Sequence, residues 1–355
     1  MPDKVIYSHQ FINFINMPIK LIASLVAVGV VLGGMYFFLD RSDHAVPGKD
    51  TSQMPKGQIN VVATFYPLQQ LAAGIVGEMG EVTAVVPAGV EPHDYEPSMA
   101  DIRGIYDADL FILNGAGMDA WAEKLMPELE TKGVRSIRLA DKVELLSAKE
   151  ESEHEHGDGH EEEVGSVGIG TAVEDDHEHG EWDPHFWLDP VSAKSLVSAI
   201  TEALSEKFPE KSSGFAANAG KISAELDALD VAYRTSLSSC AKEEVVTSHD
   251  AFRYLAERYG FETHAIAGIS PEEEPSPKRL TELANEVKAE GIKYIFFETL
   301  VSPKLAETLA RETGAATLVF NPIEGVSAVD QAAGKNYFSI MRENLAALQK
   351  ALECK

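Results

Sequence analysis

Short apolar runs rich in β-branched and aromatic residues alternate twice along this chain with longer amphipathic stretches, at the spacing of strand–helix units. In the first series Ile59–Phe65, Glu81–Val86, Leu110–Asn114 and Ser136–Leu139 read as strands. Pro67–Val76, the stretch opened by Ser98 and Asp101 in the manner of a capping box, and Asp119–Leu129 read as helices. A helix over Val191–Lys207 and a long one over Ser212–Leu237 follow, the latter with Leu226, Leu229, Val231 and Tyr233 as its apolar face. The second series sets strands at Glu244–Thr247, His264–Ile269, Tyr294–Phe297 and Thr317–Phe320. Its helices cover Ala251–Tyr259 (stopped by Gly260), Ser276–Glu290, a stretch opened by Ser302-Pro303, and Asn336–Leu352. Strands separated by helices favour parallel sheets covered on both faces, so two α/β lobes with a long helix between them are predicted. At 355 residues the chain has room for both.

Segments at either side of the first series do not share this pattern. Residues 21–39 carry no charge, and as a helix they span roughly 28 Å, close to a bilayer core. Lys20 before the run and Asp40 after it favour the amino terminus inside. Tyr36-Phe37-Phe38-Leu39 lacks a small-residue cleavage pattern, and no cysteine stands nearby to accept a lipid. Residues 1–40 therefore read as an uncleaved signal-anchor, residues 41–57 as a flexible polar tether, and the body as exported. Cys240 and Cys354 suit one disulfide in an oxidising compartment, although a frayed carboxyl terminus accounts for Cys354 equally well.

The formal charge of -27 argues against a nucleic-acid partner, since phosphate binding needs clustered Lys and Arg. Nearly half of it is local. Residues 150–181 hold thirteen Asp and Glu, five His and no Lys or Arg, which leaves the rest of the chain near -14. This insert has too little apolar surface to offset the entropy of ordering, and its histidines among carboxylates suit weak, exchangeable capture of divalent metal.

Three further histidines occupy matching contexts, each where an apolar run gives way to turn residues. They are His93 in Glu91–Ser98, His185 in Asp183–Pro190 and His249 in Thr247–Phe252. Open α/β sheets present ligand groups at strand ends. Three imidazoles converging from separate loops suit a borderline-soft divalent cation, with zinc first among candidates.

The runs Pro92-His93-Asp94-Tyr95-Glu96-Pro97-Ser98, Asp183-Pro184-His185-Phe186-Trp187-Leu188-Asp189-Pro190, Ser248-His249-Asp250-Ala251-Phe252-Arg253-Tyr254-Leu255 and Gly268–Pro277 resemble the ZnuA-like family, the metal-binding solute receptors of ABC-type zinc and manganese importers. The resemblance covers about residues 58–352 in the same order. It implies two (β/α) lobes, 58–211 and 240–355, joined by one rigid helix over 212–239, with the metal in the cleft between lobes. It makes His93, His185 and His249 metal ligands and matches Glu324 to a fourth position that relatives fill with a carboxylate or leave to water. Glu298, which also ends a strand, is the rival for that place. The manganese branch carries a carboxylate where this chain has His249, so the resemblance points to Zn2+ as cargo, a membrane permease as partner, and a monomeric receptor. Asp189 and Asp250 are candidates for orienting imidazoles or for capping helices, and Trp182 and Trp187 for packing in the cleft.

Other functions compete. A manganese receptor and a surface adhesin belong to the same resemblance. A zinc hydrolase also uses three protein ligands, then keeps the fourth place open for water beside a general base. No His-Glu-x-x-His helix occurs, and Glu324 discriminates: as a ligand it closes the site.

Overall fold

The computed structural model describes residues 58–148 and 181–355. The apolar run 21–39, the tether and nearly all of the acidic insert lie outside the described residues. Among the described residues no helix is long and apolar enough to cross a membrane.

Two four-stranded parallel sheets form the body. The first comprises β1 (Ile59–Ala63), β2 (Gly80–Ala84), β3 (Leu110–Leu113) and β4 (Arg135–Arg138), in the spatial order β2-β1-β3-β4. The second comprises β5 (Glu244–Thr247), β6 (Glu262–Ala265), β7 (Tyr294–Phe297) and β8 (Ala316–Val319), in the equivalent order β6-β5-β7-β8. Each sheet is thus one α/β lobe, and the expected fold class holds. β1 and β3 are buried throughout, as central parallel strands must be when helices cover both faces.

Helices of the first lobe are α1 (Tyr66–Val76), α2 (Met99–Tyr106) and α3 (Ala120–Thr131), followed by α4 (Pro190–Lys207) and the 25-residue α5 (Ser212–Ser236). The second lobe adds α6 (Arg253–Tyr259), α7 (Pro277–Ala289), α8 (Lys304–Thr313), α9 (Ala328–Ala332) and α10 (Tyr337–Ala351). Capping explains several starts. Ser98 and Asp101 exchange side-chain and backbone hydrogen bonds at α2, Asp189 accepts from Val191 and Ser192 at α4, and Ser276 accepts from Arg279 at α7.

Four expectations shift. Val231 is 62% exposed, because it falls off the stripe of Phe215, Ile222, Leu226, Leu229 and Tyr233 that α5 buries. The helix after His249 starts at Arg253, two residues late, since Ala251 and Phe252 sink into the core and Phe252 stacks on Phe320 at 3.7 Å. β6 occupies Glu262–Ala265 and so places His264 inside the strand. The short α9, capped by Ser327, has no apolar period to announce it.

A continuous apolar core runs from the first lobe through α4 and α5 into the second, joining Ile59, Leu68 and Trp187 to Phe252, Phe320 and Leu348. α5 packs on α4, α1 and α10, and its Tyr233 hydroxyl donates to the Met341 carbonyl. Cys240 and Cys354 form a disulfide that ties the end of α10 to the entry of β5.

Candidate metal centre

Each candidate ligand leaves the carboxyl end of its sheet, where parallel strands deliver loops. The loop after β2 carries His93, whose backbone N–H donates to the Glu91 carboxylate at 3.0 Å. His185 follows Asp183, which accepts from the His185 backbone N–H at 2.9 Å and so folds the turn. The stretch is pinned further. The Asp183 N–H donates to the Leu146 carbonyl, the Tyr254 hydroxyl donates to the Asp183 carbonyl, and the Asn114 amide donates to the Pro184 carbonyl. Ser147 and Trp182 pair as an antiparallel bridge, so both ends of the acidic insert stand side by side close to His185.

In the second lobe His249 comes two residues after β5, with Glu298 directly after β7, its neighbour in the sheet. Glu324 sits on the loop after β8, held unusually firmly. Ile323 is buried with a left-handed φ of 59°, a conformation that costs a branched side chain free energy. The Ile323 N–H donates to Asn321 Oδ1, Asn344 brackets the Asn321 backbone from both sides, and Trp187 Nε1 donates to the Pro322 carbonyl at 2.8 Å. Gly325 must stay small, because a Cβ there would lie 2.8 Å from Leu300 Cδ1 and 3.4 Å from the Val90 carbonyl oxygen.

These loops bring His93, His185, His249 and Glu324 together. Glu324 Oε1 lies 3.2 Å from His93 Nε2, 3.2 Å from His185 Nε2 and 3.1 Å from His249 Nε2. His185 Nε2 is 3.3 Å from His93 Nε2 and 3.4 Å from His249 Nε2. A tetrahedron whose corners lie about 2.0–2.1 Å from a central zinc has edges of roughly 3.3–3.4 Å. Five of the six separations among these donors thus match the edges of a zinc tetrahedron, and all four donors lie within 4.8 Å of one another. Solvent reaches them from the His93 side: that side chain is 8% exposed, against 0% for His185 and His249.

Two carboxylates stand behind the imidazoles. Asp183 Oδ1 is 2.8 Å from His185 Nδ1, and Glu298 Oε1 is 2.7 Å from His249 Nδ1, which leaves each Nε2 free to face the centre. Glu298, the rival ligand from sequence, is thus turned to the far side of His249, and Asp183 has a role that sequence reasoning missed. Its signal was present two residues before His185. Asp189 and Asp250 do not take that place. Asp189 caps α4 and accepts from Nε and Nη2 of Arg258 at 2.6–2.7 Å, while the Asp250 carboxylate stands 3.9 Å from Arg253. Trp187 packs at 5.2 Å from the His185 ring, but Trp182 is 39% exposed and belongs to the insert bridge, not to cleft packing.

Electrostatics follows from burial set against pairing. Burial would raise the Glu324 carboxyl, yet the His249 charge and hydrogen bonds from three imidazoles hold it well below the usual range. Burial disfavours a charged His249, but Glu298 and Glu324 beside it push its pKa well above the ordinary value. His185 is likewise raised against burial, by Asp183 and Glu324. His93, with only Glu324 to favour its charge, is lowered by burial. Glu91 is pushed up to about 8 by burial and by repulsion from Glu324.

Residues 61–351 match the family "Zinc-uptake complex component A periplasmic", ZnuA. The chain belongs to the ZnuA family. It is 40% identical over 297 residues to the zinc-binding lipoprotein AdcA of Streptococcus pneumoniae, which aligns 84% of this chain but 56% of that relative. The chain thus spans little more than half the length of AdcA. It is 38% identical to the high-affinity zinc uptake system protein ZnuA of Bacillus subtilis, covering 86% of this chain and 91% of that one. Among solved structures, the Zn(II)-bound ZnuA-like domain of S. pneumoniae AdcA superposes with a TM-score of 0.69 at 38% identity, over 84% of this chain and 100% of the domain.

Proposed function

We propose that this chain is an extracytoplasmic solute receptor that captures Zn2+ between its two lobes and passes it to an ABC-type import permease in the membrane. His93, His185, His249 and Glu324 are the ligands in this reading. The observation that carries it is their mutual spacing, with five of the six separations among one oxygen and three nitrogens at about the edge length of a zinc tetrahedron. A set of three imidazoles and one carboxylate favours zinc over manganese, which takes more oxygen donors. Glu324 points into the centre and occupies the place that a hydrolase would keep for water, so transport, not catalysis, suits the site. The names of the relatives agree with zinc uptake.

The body divides in this reading into lobes 58–211 and 240–355 around a linker at 212–239. The receptor works as a monomer. The uncharged segment 21–39 holds it to the outer face of the membrane, with residues 41–57 as the tether. Intact-mass analysis of the cell-derived protein tests the anchor, since a mature form beginning near residues 40–50 would mean a removed signal peptide.

The zinc site is tested by calorimetry on chain purified without added metal. One tight zinc is expected, and His93→Ala, His185→Ala and His249→Ala each lose most of the affinity. A variant that retained full affinity would remove that residue from the ligand set. X-ray absorption giving six oxygen-dominated neighbours would reject the tetrahedral site altogether.

A further inference from the structure

At the other end of the second sheet a separate group of donors faces one point. Glu244 opens β5 and Glu262 opens β6, and the two are paired in the parallel register, as are Val246 and His264. Alternate residues of a strand share a face, so Glu244, Glu262 and His264 project from the same side of the sheet edge. That side is the one covered by α7, because Val246 packs with Leu283 and Val287 of that helix. One turn of α7 also supplies Glu286, whose carboxylate stands 3.6 Å from His264 Nδ1. His264 Nε2 lies 3.2 Å from Glu244 Oε2, and one donor atom from each of Glu244, Glu262 and His264 falls within 4.8 Å of the others.

Two features set this group apart from a solvated acidic edge. His264 Nε2 and Glu286 Oε2 are both buried, and their contacts at 3.2 Å with Glu244 Oε2 and at 3.6 Å with His264 Nδ1 lack hydrogen-bond geometry, although the two side chains as wholes are 26% and 38% exposed. Buried polar atoms of this kind are rare, and an ion is one of the usual reasons for them. Among the described residues, moreover, no lysine or arginine pairs with Glu244, Glu262 or Glu286. Three carboxylates therefore surround a single imidazole without a permanent cation to offset them.

We propose that Glu244, Glu262 and His264 form a second binding site, for a divalent transition-metal cation of the zinc class, at the amino-terminal edge of the second lobe's sheet. The arrangement resembles the cleft in outline: Glu286 stands on the Nδ1 side of His264, at 3.6 Å instead of the 2.7 Å hydrogen bond between Glu298 and Nδ1 of His249, and Nε2 is left among the donors. Binding is weaker than in the cleft, because one imidazole and two carboxylates stand partly in water. The strands put this site at least about 10 Å along the sheet from the cleft loops, so the two fill independently.

The test uses the full chain with 15N-labelled histidine and Zn2+ as the only added metal. The His264 ring signals are assigned by their loss in His264→Ala. After the cleft has taken its first equivalent, further Zn2+ is expected to shift the His264 Nε2 resonance. In the double variant Glu244→Gln, Glu262→Gln the same shift should need at least tenfold more zinc. Unchanged tight zinc affinity in that variant shows that it folds. A His264 signal that does not move up to millimolar Zn2+ overturns the proposal, and so does a shift that the double variant leaves untouched.

Discussion

Glu298 Oε1 lies 2.7 Å from Nδ1 of His249, on the side of the ring away from Glu324. Both groups are buried, so this hydrogen bond fixes which ring nitrogen carries the proton and which donates to metal. Asp183 does the same for His185 at 2.8 Å. Glu298→Gln and Asp183→Asn keep the size of each side chain but remove its charge, and with it the extra basicity of the imidazole. Each is expected to weaken zinc binding about 10–100-fold. Competition with a chromophoric chelator measures this. An affinity within twofold of the unaltered chain would reduce the carboxylates to packing.

The same contacts set the pH response. His185 and His249 have raised pKa values in the metal-free fold, and metal needs both neutral, so each gives up a proton on binding. Zinc affinity is expected to climb with pH through about 6.5 and beyond, by up to two decades per pH unit where both are charged. Stability of the metal-free chain runs the other way. A histidine raised in the folded state contributes stability that is complete below about 6.5 and is lost as pH rises through its folded value. Glu324, held low, contributes above about 4.5 and loses its contribution as pH falls through its folded value. His93, lowered by burial, offsets part of the histidine term below 6.5. Thermal melts without metal should therefore peak in mildly acid buffer, and melts with excess zinc at neutral pH or above. Identical profiles with and without zinc would contradict the assigned charge states.

Much of this architecture was legible because it is local. Strands β5 and β7 stand where the apolar runs begin and end, and Ser98, Ser276 and Gly260 mark helix boundaries by hydrogen bonds made within a few residues. That His93, His185 and His249 come together was legible from their strand-end contexts, and that Glu324 joins them from the family resemblance. What stayed hidden depends on pairing between distant segments. Nothing near Glu298 says that it meets His249 and not the metal, since that follows from β7 lying beside β5. Glu244 and His264 belong to different strands and become neighbours only in the β5–β6 register. Val231 misled because a hydrophobic residue off the buried stripe looks the same in sequence as one on it.

The Cys240–Cys354 bridge closes a separation of 114 residues around the whole second lobe. In the chain-entropy view such a loop is worth about 4–5 kcal/mol through the unfolded state. Ala241 and Lys242 also donate to the Leu352 carbonyl, so the end of α10 keeps an anchor without the bridge. The double variant Cys240→Ala, Cys354→Ala is expected to fold and to bind zinc as tightly as before, yet to unfold at clearly lower denaturant. Loss of tight zinc binding in a folded double variant would mean that the bridge positions the cleft loops.

Thirteen carboxylates and five histidines in residues 150–181 should hold further zinc weakly and raise its concentration beside the cleft. The two ends of this insert already stand in register, with the Ala148 N–H donating to the Glu181 carbonyl and Ser147 bridged to Trp182. A chain lacking residues 151–180 can therefore be closed by a short turn without moving Asp183 or His185. Such a deletion is expected to leave the single tight site unchanged, to remove the weak ions seen by equilibrium dialysis, and to slow uptake only when zinc is scarce. That capture should also fade as pH falls through about 6.5, where free imidazoles protonate. If the tight site disappeared with the insert, a ligand would have to come from it, and the set of His93, His185, His249 and Glu324 would be incomplete. If dialysis and uptake both stayed the same, the insert would be a passive connection. The turn at Asp183 argues for survival of the tight site, because among the described residues the hydrogen bonds that fold it come from His185 itself, Leu146 and Tyr254, all outside the deletion.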